Sequence, residues 1–93
     1  MELGFTWDPR KSAANERKHG VSFTEARLAF GDVLSITAPD PGHSHDESRF
    51  VLVGRSSRGR LLVVAHAEHG DEIRIISARP ATRRERHAYE EEA

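Results

Sequence analysis

RFVLVGRSSRGRLLVVAHAEHGDEIRIISAR, residues 49–79, reads as three β-strands joined by two turns. Arg49 to Arg55, Arg60 to His66 and Glu72 to Ser77 carry the strand formers. Ser57-Arg58-Gly59 and Glu68-His69-Gly70-Asp71 carry the turn formers, so neighbouring strands form antiparallel hairpins. Leu61 to Ala65 is apolar at every position, as a central strand with both faces covered requires.

Upstream, the signal changes period. Val33-Leu34-Ser35-Ile36-Thr37 predicts a further strand, followed by a loop of turn formers from Pro39 to Asp46. Ser22-Phe23-Thr24-Glu25 is a capping box, and Phe23, Ala26, Ala29 and Phe30 recur at helical spacing until Gly31. Asp8-Pro9 pairs an N-cap residue with a proline at the first helical position, opening a helix that runs to about His19 with Gly20 as its stop. Its only apolar residues are Ala13 and Ala14, which predicts a surface helix. Phe5-Thr6-Trp7 predicts a short first strand. Thr82-Arg83-Arg84-Glu85 is a second capping box, opening a helix through Tyr89 into the tail Glu90-Glu91-Glu92. The expected order is β-α-α-β-β-β-β-α: an α+β fold with helices on one face of an antiparallel sheet.

Ninety-three residues fit one domain, taken here as 1–93. The absence of cysteine excludes a disulfide scaffold, a thiolate zinc site and a cysteine nucleophile. The longest apolar run, Leu61 to Ala65, is too short for a membrane span, and Met1-Glu2-Leu3-Gly4 lacks the features of a signal peptide. A soluble cytoplasmic domain with no membrane partner is expected.

The net charge of −1 hides an asymmetry: residues 49–87 hold nine arginines against four acids. Guanidinium groups match phosphate geometry. A solvated arginine-rich surface and a phosphate-binding face both explain the pattern. Strand alternation would set Arg74 on the open face of the sheet if Ile73 and Ile75 face the helices. Arg79 then leaves the strand near the start of the last helix, whose free N–H groups favour an anion. Pairing of Arg74 and Arg79 with Asp46, Glu47 or Glu85 is the structural alternative. Tyr89 shares a helical face with Glu85 and Arg86. Its phenol is a proton carrier or phosphate donor on one reading and a packing residue on the other. His43 in the loop is a further proton carrier, and Glu47 and Arg49 flank the entry to the next strand. His43-x-His45 and His66-x-x-His69 are weak metal patterns, and no metal or other cofactor is expected. No P-loop, GxGxxG, GxSxG or paired-carboxylate signature occurs, leaving a surface suited to binding or cleaving a phosphodiester.

Several stretches resemble one family. Phe5-Thr-Trp-Asp8, Asn15, KHGVSF (18–23) running on to Ala26, Phe30-Gly-Asp32, Asp40, His43-Ser44, Glu47-x-Arg49, Gly54-x-Ser56, Gly59-Arg60, RIISAR (74–79), Ala81-Thr82, Glu85-Arg86 and Tyr89-Glu90 resemble the BrnT toxins of type II toxin–antitoxin systems. The resemblance implies a RelE-like fold and a ribonuclease that inhibits translation. It also implies a BrnA-like ribbon-helix-helix antitoxin, a toxin–antitoxin heterotetramer, and contact with operator DNA only through that complex. It marks Arg74, Arg79 and Tyr89 as the leading catalytic candidates, with His43 and Glu47 behind them. Lys18, Arg49, Arg60 and Arg86 are the expected RNA contacts. A module that binds RNA or protein on the same face without cutting is the competing expectation.

Overall fold

The structure is a computed structural model and describes residues 4–43 and 48–92. Its elements are β1 (Gly4–Thr6), α1 (Pro9–His19), α2 (Phe23–Leu28) extended by a 3-10 turn (Ala29–Gly31), β2 (Ile36–Pro39), a 3-10 turn (Pro41–His43), β3 (Arg49–Arg55), β4 (Leu61–His69), β5 (Glu72–Pro80) and α3 (Arg83–Glu92). The order is the expected one.

Local chemistry accounts for the helix ends. The Asp8 carboxylate accepts from the Arg10 N–H at 2.8 Å, and Pro9 occupies the first turn. Gly20 closes α1 at φ 73°, a conformation that disfavours a side chain, and its N–H donates to Glu16 O at 2.8 Å. At α3 the capping box is reciprocal: the Thr82 N–H donates to Glu85 Oε1 (2.8 Å) and the Glu85 N–H to Thr82 Oγ1 (3.2 Å). At α2 only half of it forms. Ser22 Oγ accepts from the Glu25 N–H at 3.1 Å, but the Glu25 side chain turns to Ser56 and Arg60.

Five strands form one sheet in the order β1-β5-β4-β3-β2. The three hairpin pairings are antiparallel as expected; β1 instead lies parallel to β5, with Thr6 opposite Arg74, so the sheet is mixed. Val21, Phe23, Ala26 and Ala29 pack on Leu52, Leu62, Val64, Ile75 and Ala78, flanked by Phe5, Trp7 and Phe30. Large side chains such as Phe23, Leu62 and Val64 each contribute roughly 1.5–3 kcal/mol by leaving water. Gly54 permits this packing: a Cβ there would stand 2.7 Å from Ala29 O, inside contact distance.

One further expectation changes, and another gains an anchor. Val33 and Leu34 are not in a strand but in an exposed turn, with 96% and 50% of their surface open. Asp32 overrides their β propensity, because its Oδ1 accepts from the Leu34 N–H at 2.9 Å and its carbonyl from the Ser35 N–H at 3.0 Å. Helix α1 does lie at the surface, with Ala13 and Ala14 exposed, yet it is anchored by the buried Asn15. Asn15 Nδ2 donates to Val21 O and Ala78 O, both at 2.7 Å, and its Oδ1 accepts from the Ala78 N–H at 3.1 Å. β1 stops opposite Arg74, and the Asn15 amide takes the place of a neighbouring strand for the next part of the β5 edge.

Candidate nucleic-acid interface

The face of the sheet opposite the core can be read row by row from the strand register. One row runs Thr6, Arg74, Ala67, Arg49; the next Ser77, Ala65, Val51, Ala38; the third Arg79, Val63, Val53, Ile36. Strict alternation along β5 would put Arg74 and Arg79 on opposite faces. A bulge prevents this. His66 pairs with Ile75 and Ala65 with Ser77, so Ile76 is an extra residue and the phase flips after it. Ser77 is therefore exposed and Ala78 buried, the reverse of what strict alternation from Arg74 would give, and both arginines stand on the open face.

Around the first row lies a hollow of about 300 Å³ lined by Lys11, Ser48, Arg49, Ala67, His69, Arg74 and Ile76. Neighbouring strands are about 4.8 Å apart, so Arg49 and Arg74 stand roughly 10 Å from each other across the small Ala67. Lys11 enters from α1 and His69 from the end of β4. Arg74 is exposed and makes no ion pair among the described residues. Beside this hollow a trench of about 700 Å³ runs over Val51, Val53, Val63 and Ala65, with Lys18, Asp40, Arg79 and Glu85 among its walls. On the β1 side of Arg74 is a third recess, of about 240 Å³, lined by Thr6, Trp7, Asp8 and Arg74.

The expected site residues divide. Arg49 and Arg74 meet in the hollow; Lys18 and Arg79 meet in the trench. Arg79 is held by a two-pronged pair with Glu85, at 2.7 and 2.8 Å, which leaves its side chain 40% exposed. That pair drops the Glu85 carboxyl to about 2 against the opposing effect of burial, with the Thr82 N–H assisting. Arg60 is committed elsewhere: its Nε bonds Glu25 Oε2 at 2.9 Å, and its Nη2 bonds Glu25 Oε1 and Gly20 O. Glu25 is only 3% exposed, so Arg60 is the counter-charge of a buried carboxylate, whose pKa it lowers. Arg86 is exposed on α3, away from the lining of either cavity. Glu47 and the side chain of His43 lie outside the described residues; the His43 backbone ends the turn after β2.

Tyr89 is not in the hollow. It is 5% exposed and donates from its hydroxyl to Asp32 Oδ2 at 2.6 Å, while the Arg55 guanidinium sits 5.7 Å from the ring centroid. The hydrogen bond to Asp32 raises its pKa, burial adding to the effect, which disfavours the phenolate. Burial pushes the Asp32 carboxyl up, but the Tyr89 hydroxyl, the N–H groups of Arg55 and Leu34 and the Arg55 charge together hold it below its ordinary value. This contact ties α3 to the end of the sheet.

Lys11 and His69 are members of the hollow that sequence reasoning missed as such. His69 entered only through the His66-x-x-His69 pattern. His66 is fully buried between Phe30 and Phe50, with Nε2 2.9 Å from Glu68 Oε2, whereas His69 emerges on the open face, so the two do not share a ligand. No sequence signal brings Lys11 to Arg74, because their proximity depends on where α1 meets the β5 edge. Among the described residues no helix is long and apolar enough to cross a membrane.

A family model described as the BrnT ribonuclease toxin of type II toxin–antitoxin systems matches residues 7–85. Among solved structures, the crystal structure of the Brucella abortus ribonuclease toxin BrnT superposes with a TM-score of 0.69 at 24% sequence identity, covering 87% of this chain and 99% of that one. No curated protein matches the sequence.

Proposed function

The chain belongs to the BrnT family of ribonuclease toxins of type II toxin–antitoxin systems, and from that premise we propose that it cuts RNA on the open face of the sheet and thereby inhibits translation. One observation carries the proposal: Lys11, Arg49, His69 and Arg74, delivered by four different elements, converge on one hollow the size of a phosphodiester and its immediate neighbours.

The reaction proposed is metal-independent. The ribose 2′-oxygen attacks the adjacent phosphorus, the bond to the 5′-oxygen breaks, and the products are a 2′,3′-cyclic phosphate and a free 5′-hydroxyl. Two demands fall on the protein: stabilising the extra negative charge on phosphorus and moving two protons. Arg74 and Arg49 meet the first from either side of Ala67, with Lys11 as a third positive group. Arg79, braced by Glu85, retains Nε and an Nη2 hydrogen for a neighbouring phosphate over the trench, beside Lys18. Proton transfer falls to His69 in the hollow, with His43 and Glu47 proposed to join it from the β2–β3 loop. The Tyr89 phenol, committed to Asp32, is assigned to holding α3. The antitoxin partner is proposed to be a BrnA-like ribbon-helix-helix protein that forms a heterotetramer with the toxin, reaches operator DNA on its behalf, and keeps it neutral in the cytoplasm.

Incubation of the purified chain with end-labelled RNA tests this. Cleavage that persists in EDTA and stops when the 2′-hydroxyls are methylated is the expected result. Intact unmodified RNA leaves a binding module on the same face; EDTA-sensitive cleavage overturns the metal-independent route.

A further inference from the structure

Arg74 lines two recesses, and the phosphate reading uses only one of them. The other, on the far side of Arg74 from Arg49, is lined by Thr6, Trp7 and Asp8, one aromatic residue between two polar ones. Three features make it more than a surface dimple. Trp7 is half-buried and packed edge-on against Phe23 at 6.4 Å, so the ring is held in place before any ligand arrives. Thr6 is the register partner of Arg74, which sets this recess and the phosphate hollow on one row, separated by a single guanidinium. Asp8 gives one oxygen to the start of α1, and its side chain remains 30% exposed, so a carboxylate stands at a place that repels phosphate and accepts N–H groups. A fixed aromatic ring, a cation shared with a phosphate hollow and a hydrogen-bond acceptor are the components by which proteins hold an unpaired nucleobase.

We propose that this recess is a nucleobase subsite: a base next to the phosphate in the hollow stacks on Trp7, with Arg74 lying between base and phosphate. The assignment rests on the RNA reading above and adds the position of one nucleotide to it. Bases stack on aromatic rings largely irrespective of sequence, so the subsite supplies affinity and register for single-stranded RNA and disfavours a strand whose bases are paired.

Trp7 is the only tryptophan in the chain, which makes its emission a direct reporter. The full chain is titrated with a dye-labelled 2′-O-methyl RNA oligonucleotide, which survives the proposed chemistry. Dye anisotropy follows total binding and tryptophan emission follows the subsite. Emission is expected to quench with the same midpoint as the anisotropy, whereas an abasic strand of equal length raises anisotropy without quenching. Trp7→Leu is expected to weaken binding about 5- to 150-fold and Trp7→Phe to restore part of the loss, with thermal melts confirming that each variant folds. Binding that leaves the emission unchanged, or equal quenching by the abasic strand, overturns the subsite while leaving the RNA reading intact. No anisotropy change at low salt removes the RNA reading, and the subsite with it.

Discussion

Replacing Tyr89 by phenylalanine separates two roles that the residue has been given. The substitution keeps the ring beside Arg55 and deletes one hydroxyl, the one that donates to Asp32 Oδ2 at 2.6 Å. A hydrogen bond to a charged acceptor contributes about 1.5–3 kcal/mol. Asp32 is only partly buried and keeps the Arg55 N–H at 2.8 Å and the Leu34 N–H at 2.9 Å, so the expected loss falls to about 1–2 kcal/mol. For a domain of this size that corresponds to a melting temperature lower by roughly 5–15 °C. Cleavage of labelled RNA, measured well below the melting transition, is expected to stay within about threefold of the parent, since α3 remains docked and the hollow around Arg74 is untouched. A proton-transferring phenol behaves differently, because its removal costs roughly 10²- to 10⁴-fold in rate. Thermal unfolding by circular dichroism and a cleavage time course on the same preparation decide the matter. A hundredfold loss of cleavage with an unchanged melting temperature would refute the assignment.

Arg74→Ala is expected to reduce cleavage about 100- to 1,000-fold, while stability by urea titration stays within about 0.5 kcal/mol, since the side chain is exposed and has no ion-pair partner among the described residues. Asn15→Ala deletes three hydrogen bonds at the β5 edge and is expected to cost about 3 kcal/mol in the same titration; a loss under 1 kcal/mol means that water replaces the amide without penalty. The Glu85 carboxyl, about 2 in the folded chain against an ordinary 4.5, contributes stability that is complete above pH 4.5 and lost as the pH falls toward 2. Solvent screening limits this to about 1–2 kcal/mol, and Glu85→Gln is expected to flatten that part of the stability–pH curve. Arg60→Ala strands the buried Glu25 carboxylate and is expected to cost about 3–5 kcal/mol, with Arg60→Lys recovering part of it.

What could be read from the residues alone was whatever chemistry acts between near neighbours. Asp8-Pro9, Gly20, Ser22 and Thr82-Glu85 placed the helices because caps work within one turn, and the two β-hairpins followed from their turns. KHGVSF was legible as a stretch and is now legible as physics: a left-handed stop, the buried Val21, a cap and the buried Phe23. The parallel pairing of β1 was not legible, since Gly4 and Glu72 carry no mark of each other. Arg74 could be placed from alternation, but Arg79 could not, because the bulge that brings it round depends on how β4 and β5 settle. Glu85 was a candidate partner for Arg79 and proved to be so, while Arg60, grouped with the RNA contacts, is bound to a carboxylate 35 positions away. Lys11 and Trp7 flank Arg74 only after α1 has folded against the sheet edge.

The bulge at Ile76 makes chain length in β5 as consequential as its chemistry. Removing that single isoleucine would shorten the interval from Arg74 to Arg79 from five steps to four, so an evenly alternating strand with the same pairings would still turn both guanidinium groups outward. Arg74 and Arg79 thus face the same way because the bulge absorbs one of the five steps between them. A homologue that lacks one position between the two is expected to run straight there, with no bulge and with both arginines still outward.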